Sequence, residues 1–370
     1  QLADGSGEPL NENRFLLRNG RVRLDGEWRY AGFSAAAEFF SANHGVRPVL
    51  FDIHAQLPGK DKRPPLVQLR AGLFPVAFGF EDFGQTDWQR FFGERSFMAR
   101  AFVPGRFDLG VALSGHIWAI DWVVALQNGE PIGAPGHDFF RDPNEAKDVS
   151  GRIRIVGELF PWLEAATAVS MIYGHGFSAG TPPSKDSFEW QDLNEDGRVT
   201  ESELIPIPGS AGRPSENFER WGVGGDLQLW TQVPKLGQLM LYGEAAFGVN
   251  LDRGVAIADP VLLGPDQRSF GWYAAVTQDF TKWVTLGVRY EEYEPSRDAL
   301  ELFDGVTVVT RRKFQNLSTG LSTQAWPVDR VKIRLLAEYE HQWNTLGRDN
   351  AGRPAQLDND TLRFRMELVF

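Results

Sequence analysis

Residues 360–370 carry Leu362, Phe364, Met366, Leu368 and Phe370 at alternate positions, with Arg363, Arg365 and Glu367 between them. Successive side chains of a strand point to opposite faces, so this period of two predicts a strand with one apolar and one charged side. The same alternation runs through 21–25, 151–155, 284–290 and 331–340. Followed along the chain, it predicts fifteen strands, near 14–25, 28–40, 49–57, 66–76, 107–115, 117–127, 151–159, 163–174, 219–231, 238–249, 268–280, 283–293, 312–325, 330–344 and 360–370.

Alternation alone also fits a soluble sandwich, and the spacing between strands is what separates the two. Short connections at 115–116, 160–162, 233–237, 280–282 and 326–330 alternate with long polar segments at about 128–150, 175–219, 250–268, 294–311 and 345–359. Tight turns on one side and long loops on the other are the layout of an antiparallel up-and-down transmembrane β-barrel in the outer membrane of a Gram-negative bacterium. Trp162, Trp283 and Trp326 lie at the short turns, where an inner aromatic girdle falls; core tryptophans of a soluble β protein are the alternative. Such barrels have an even number of strands. If Phe370 ends at the periplasm, the strand starting at Arg14 runs inward from outside, and residues 1–13 read as loop. The expectation is an all-β single barrel over 1–370 with sixteen strands, fifteen in this sequence and one before Gln1.

Composition agrees with that class and removes others. The 370 residues include no cysteine, which excludes a disulfide framework, a zinc ribbon and thiol catalysis. Apolar stretches such as 117–126 are interrupted by Asp121 and fall short of the ~20 residues of a membrane helix. At 42% hydrophobic and 24% charged the chain is not disordered. A formal charge of −11 without a basic block argues against nucleic acid as a partner. That net charge says nothing about passage through a pore, which depends on the local field. Of the 38 basic side chains only eight are lysine, so arginine dominates.

Residues 72–81 read Gly-Leu-Phe-Pro-Val-Ala-Phe-Gly-Phe-Glu; Glu94-Arg95-Ser96 follows, then Ala101-Phe102-Val103-Pro104-Gly105-Arg106 and Asp108-Leu109-Gly110-Val111. This resembles the phosphate-selective porin O and P family, with its G-Q-F-K-x-P-F-G-x-E, E-R-S, A-F-x-P-x-R and D-x-G-V pattern. The match covers roughly residues 66–115, and Leu73, Pro75 and Ala77 stand where the family has Gln, Lys and Pro. The resemblance implies a sixteen-stranded porin, a homotrimer, passing small anionic solutes in contact with outer-membrane lipid and lipopolysaccharide.

The segment 77–106 connects two strands and carries Arg90, Arg95, Arg100 and Arg106 with Phe83, Phe91, Phe92, Phe97 and Phe102. It is too apolar to remain in water and is expected to fold into the barrel as a constriction loop, its arginines toward the lumen. Rings of arginine favour anions, and the planar guanidinium pairs bidentately with phosphate or carboxylate. Arg152, Arg154, Arg289, Arg334, Arg363 and Arg365 on inward strand positions would continue the path. The alternative is that these arginines pair with Glu158, Glu338, Glu340 and Glu367, giving a weakly selective general porin.

Residues 192–203 match D-x-[DN]-x-[DN]-G-x5-E at every defined position. In such a calcium loop Asp192, Asn194 and Asp196 offer side-chain oxygens, Gly197 makes the sharp bend, and Arg198 gives its carbonyl. Glu203 closes the shell bidentately, with Thr200 adding an oxygen directly or through water. A structural Ca²⁺ ordering the long external loop 175–219 is expected; an acidic turn without metal is the alternative. Residues 176–180 satisfy G-x-S-x-G, but Pro182-Pro183 forbids the helix a hydrolase elbow needs. The six histidines show no paired ligand spacing, so no enzyme is expected. A surface-structural or binding barrel with calcium-ordered loops is the remaining alternative to a pore.

Overall fold

The computed structural model describes residues 20–39, 47–59, 64–86, 89–130, 144–191, 197–297, 300–303, 306–309, 313–328, 331–348 and 354–369. Its strands are β1 (Gly20–Glu27), β2 (Ala31–Phe39), β3 (Arg47–Leu57), β4 (Val67–Pro75), β5 (Phe107–Ile117), β6 (Ile120–Gln127), β7 (Asp148–Phe160), β8 (Leu163–Ser178), β9 (Ser187–Trp190) and β10 (Leu204–Ile207). There follow β11 (Glu216–Val233), β12 (Gly237–Val249), β13 (Arg268–Thr281), β14 (Val284–Glu294), β15 (Leu300–Phe303), β16 (Val306–Val309), β17 (Phe314–Val328), β18 (Val331–Arg348) and β19 (Pro354–Val369).

Fifteen of these form one antiparallel sheet in which neighbours in sequence are neighbours in space; β9 with β10 and β15 with β16 make separate hairpins inside long connections. The fifteen fall at the fifteen predicted positions, although of the first, expected at 14–25, residues 14–19 lie outside the described residues. Among the described residues no pairing joins β1 to β19, and residues 1–13 lie outside them. The loop at 345–359 is shorter than expected, because β18 continues to Arg348 and β19 starts at Pro354.

Strand pleating decides which side chains meet, and here the usual polarity is inverted. In β8 the side chains of Ala166, Ala168, Ser170 and Ile172 are buried, while Val169 and Met171 between them are exposed. In β19 Leu362, Phe364, Met366 and Leu368 all point out. The pairing register aligns these positions across strands: Leu69 stands opposite Leu113, which stands opposite Val124, and all three are exposed. The outer face is therefore a continuous apolar band. The inner face holds the charges, among them Asp52, Asp108, Arg152, Asp226, Glu244, Arg289, Glu291, Arg334, Glu338 and Glu340, all buried.

The largest buried apolar cluster lies within the curve of the sheet. It joins Val76, Phe78, Phe80, Phe92, Phe97, Met98, Phe102 and Val103 to Ile172 of β8, Tyr242 of β12, Tyr273 of β13, Tyr293 of β14, Phe314 of β17 and Leu336 of β18. One connection thus supplies much of the core, and the sheet wraps around it.

Candidate functional site

The inward connection follows β4 and contains a single wide helical turn, Gly79–Gly84, and the short helix α1 (Phe97–Phe102). Gly79 has φ of 73° and passes so close to β12 that an added Cβ would lie 2.3 Å from Glu244 Oε1. Only glycine takes that conformation and that approach without cost. Its N–H donates to Ser170 Oγ of β8 at 3.1 Å. At α1 the Ser96 hydroxyl accepts from Ala99 N at 3.3 Å, an N-cap for a helix too short to persist alone.

Arg289 of β14 is the junction between this connection and the wall. Its guanidinium donates to Glu81 Oε1 at 3.1 Å, to the Glu94 carbonyl at 2.9 Å and to Glu291 Oε1 at 3.4 Å, and lies 4.7 Å from the Phe92 ring centroid. The two carboxylates then take backbone donors at the start of α1: Ser96 N to Glu81 at 2.7 Å and Phe97 N to Glu291 at 2.8 Å. Farther round, Gly93 N donates to Glu338 of β18 at 2.9 Å and Arg365 of β19 to the Gly93 carbonyl at 3.2 Å.

The remaining arginines divide into two groups. Arg95 binds Asp82 and the carbonyls of Val103 and Pro104, and Arg106, at φ of 71°, donates to the carbonyls of Asp82 and Gln85. Both hold the connection to itself. Burial raises the Asp82 carboxyl above its ordinary value, and Arg95 and Arg106 oppose that shift. Arg90 is buried, and the Arg100 guanidinium lies 4.6 Å from the Phe97 ring. Arg152 makes a two-pronged pair with Asp226 of β11, at 2.5 and 3.1 Å. Arg334 pairs with Glu367 at 2.5 Å. Arg154, Arg363 and Arg365 keep 34%, 35% and 22% of their side chains exposed while meeting Asp121, Glu340 and Glu367. Glu338, Glu340 and Glu367 are thus partners of the inward loop or of the arginines.

The connection from β12 to β13 departs from its expected external course. Leu251 is fully buried against the constriction cluster and Val255 packs on it. The Asp252 carboxylate accepts from Tyr293 Oη at 2.6 Å and from the N–H groups of Gly254, Val255 and Ala256 at 3.1, 2.9 and 3.0 Å. Burial raises that carboxyl while these donors pull it down. Arg253 reaches the carbonyls of Phe102 and Gly129. The physical reason is composition: the segment carries Leu251 and Val255, and the inner apolar cluster offers both of them cover.

In the β8–β11 loop, Asp192, Asn194 and Asp196 lie outside the described residues. Gly197 has φ of 69°, the bend its motif position calls for, and Arg198 is exposed. Thr200 caps the 3-10 turn Glu201–Glu203, with Glu203 returning a bond to Thr200 N at 3.1 Å. Glu203 is buried and also accepts from Trp190 Nε1 at 3.4 Å, tying the turn to β9. Positions nine and twelve of the motif are thus joined by a reciprocal capping box. Ser178 of the G-x-S-x-G stretch is buried at the end of β8, followed by irregular chain and then β9.

No protein-family model and no curated protein matches the chain. Three of the solved structures it is similar to are OprB of Pseudomonas putida, the outer membrane channel DcaP of Acinetobacter baumannii and an anion-selective porin from Comamonas acidovorans. Identity is 10% in each case, and the TM-scores are 0.55, 0.53 and 0.51. The likeness covers 94%, 98% and 99% of this chain and 86%, 88% and 92% of the others. At that identity it shows the fold, the antiparallel all-β fold of outer-membrane porins. It does not tie the chain to the phosphate-selective O and P family.

Proposed function

We propose that the chain is a passive pore of the Gram-negative outer membrane for small hydrophilic solutes, narrowed by residues 77–106. The observation that carries this reading is the inverted sheet: apolar outside, charged inside, with one connection folded into its interior. An apolar band of this extent has no place in water and matches the hydrocarbon of a bilayer. The two end strands of the sheet among the described residues, β1 and β19, run the same way. Outer-membrane lipid and lipopolysaccharide cover the outer face of the sheet.

Anion preference rests on the inward arginines that remain partly open, Arg154, Arg363 and Arg365, and phosphate-like solutes on the family resemblance. The homotrimer is carried by that resemblance too. A weakly selective pore is favoured by a different observation: Arg152, Arg289 and Arg334 are paired with Asp226, Glu81 and Glu367. Ca²⁺ held by Asp192, Asn194, Asp196, the Arg198 carbonyl, Thr200 and Glu203 orders the external loop. Planar-bilayer recording under a salt gradient tests the whole reading. Discrete conductance steps are expected, with a reversal potential on the anion side. Absence of steps refutes the pore, and a cation-side potential refutes the anion preference.

A further inference from the structure

The second inward connection, which the strand spacing places outside, has a specific chemistry of its own. α1 has six residues, so most of its carbonyls have no partner within the helix. The strap at 251–258 supplies partners where the helix ends. Arg253 N donates to the Ala101 carbonyl at 2.8 Å, and Arg253 Nε and Nη2 both donate to the Phe102 carbonyl, at 3.1 and 2.7 Å. Arg253 Nη1 donates to the Gly129 carbonyl at 2.7 Å and approaches Asp148 of β7 at 3.5 Å, so the same side chain is fixed to the wall beside it. A cation at a helix C-terminus is favourable and a guanidinium fork uses several acceptors at once.

The strap is itself immobilised. Leu251 is fully buried, Asp252 is held by four donors including Tyr293 of β14, and Gly254 runs so near α1 that an added Cβ would meet the Arg100 carbonyl at 2.1 Å. At Gly254, strap and helix therefore sit at backbone contact.

We infer that residues 251–258 form a second inward element whose Arg253 positions α1, and that this clamp sets the aperture. The part about aperture rests on the pore reading; the clamp does not. Arg253 is a positioning residue: it acts on the path through the α1 carbonyls it holds.

The test is hydrogen exchange on the full-length protein in detergent, paired with single-channel recording, for wild type, Arg253→Ala, Arg253→Lys and Gly254→Ala. In Arg253→Ala the amides of 97–103 are expected to exchange at least about tenfold faster, because charge-assisted bonds to the helix end are lost. The amides of β12 and β13 should be unchanged. Arg253→Lys, with a point charge in place of the fork, should fall between. Gly254→Ala keeps the charge but forces strap and helix apart, and should reproduce the effect. Conductance should rise in the same order as exchange. Unchanged exchange at 97–103 in Arg253→Ala overturns the clamp, as does equal loss of protection in β12 and β13, which would make Arg253 a general stabiliser. If wild type gives no conductance the pore reading fails, while the exchange result still decides the clamp. Faster exchange at unchanged conductance overturns the role in aperture.

Discussion

Replacing Arg289 by methionine isolates the attachment of the inward connection from the integrity of the sheet. Arg289 is 1% exposed and compensates Glu81 and Glu291, and those carboxylates in turn accept from Ser96 N and Phe97 N. Removing one member of a buried ion pair leaves an uncompensated charge, at a cost of roughly 3–5 kcal/mol. The β14 ladder is unaffected, since its bonds to β13 and β17 run through the backbone in continuous register over this region. The loss therefore falls on residues 79–97, whose opening should become about 10²- to 10⁴-fold more frequent. Trypsin is a direct probe because Arg90 and Arg95 lie in that stretch and are buried or nearly so when it is docked. Cleavage there is expected to accelerate by that factor while the unboiled protein keeps its folded migration on a gel. Adding Glu81→Gln and Glu291→Gln removes the stranded charges and should recover most of the protection, a coupling that distant sites would not show. Unchanged cleavage in the single variant, or loss of folded migration, refutes the argument.

Other substitutions address the remaining elements. Val169→Arg puts a charge near the middle of β8 on the outward face and should destabilise the protein in bilayers by about 2–4 kcal/mol, read from reversible denaturant unfolding, whereas micelles should reduce the cost. Titration with Ca²⁺ should change Trp190 fluorescence, because its indole is bonded to Glu203, with a midpoint of about 10⁻⁴ to 10⁻³ M; Glu203→Gln should abolish the change, and calorimetry with no heat in wild type ends the calcium reading. Arg363→Glu with Arg365→Glu should move the reversal potential toward cations more than Arg152→Met, since Arg152 is already neutralised by Asp226. Ser178→Ala should leave conductance and stability as they were, Ser178 being held in a strand and not on a nucleophile turn.

The fold was legible because membrane exposure makes the period-two signal nearly complete. In a soluble sandwich the outer face tolerates any polar residue, and a strand can lose its pattern without penalty. Here both faces are constrained: Leu362, Phe364, Met366 and Leu368 must face out, and Arg363, Arg365 and Glu367 must face in. The short hairpins β9–β10 and β15–β16 escaped because four-residue strands inside polar loops carry too few alternations to register. The inward strap escaped for another reason. Its apolar residues, Leu251 and the run Val255 to Ala258, are separated by Asp252, Arg253 and Gly254. They follow no period of two, so nothing in the pattern marks the segment as inward until the partners of Asp252 and Arg253 are known.

The site was legible as a set of inward arginines and not as a field. Parity assigns a side chain to a face, but the group it meets there depends on which strand the curvature brings near. Arg152 and Arg154 are two residues apart on the same face of β7. Arg152 closes a buried pair with Asp226, 74 residues away in sequence, whereas Arg154 meets Asp121 of the adjacent strand at 3.5 Å and stays a third exposed. A deeply buried guanidinium in water-poor surroundings requires its carboxylate, so burial and neutralisation arrive together. Arg289, Arg220 and Arg152, the most deeply buried arginines among the described residues, are each for that reason paired with a carboxylate. Charge available to a passing solute is then left to the half-open positions near the rims and on β19. An arginine count taken from the sequence overstates the field in the middle of the pore and has no means of locating it at the edges.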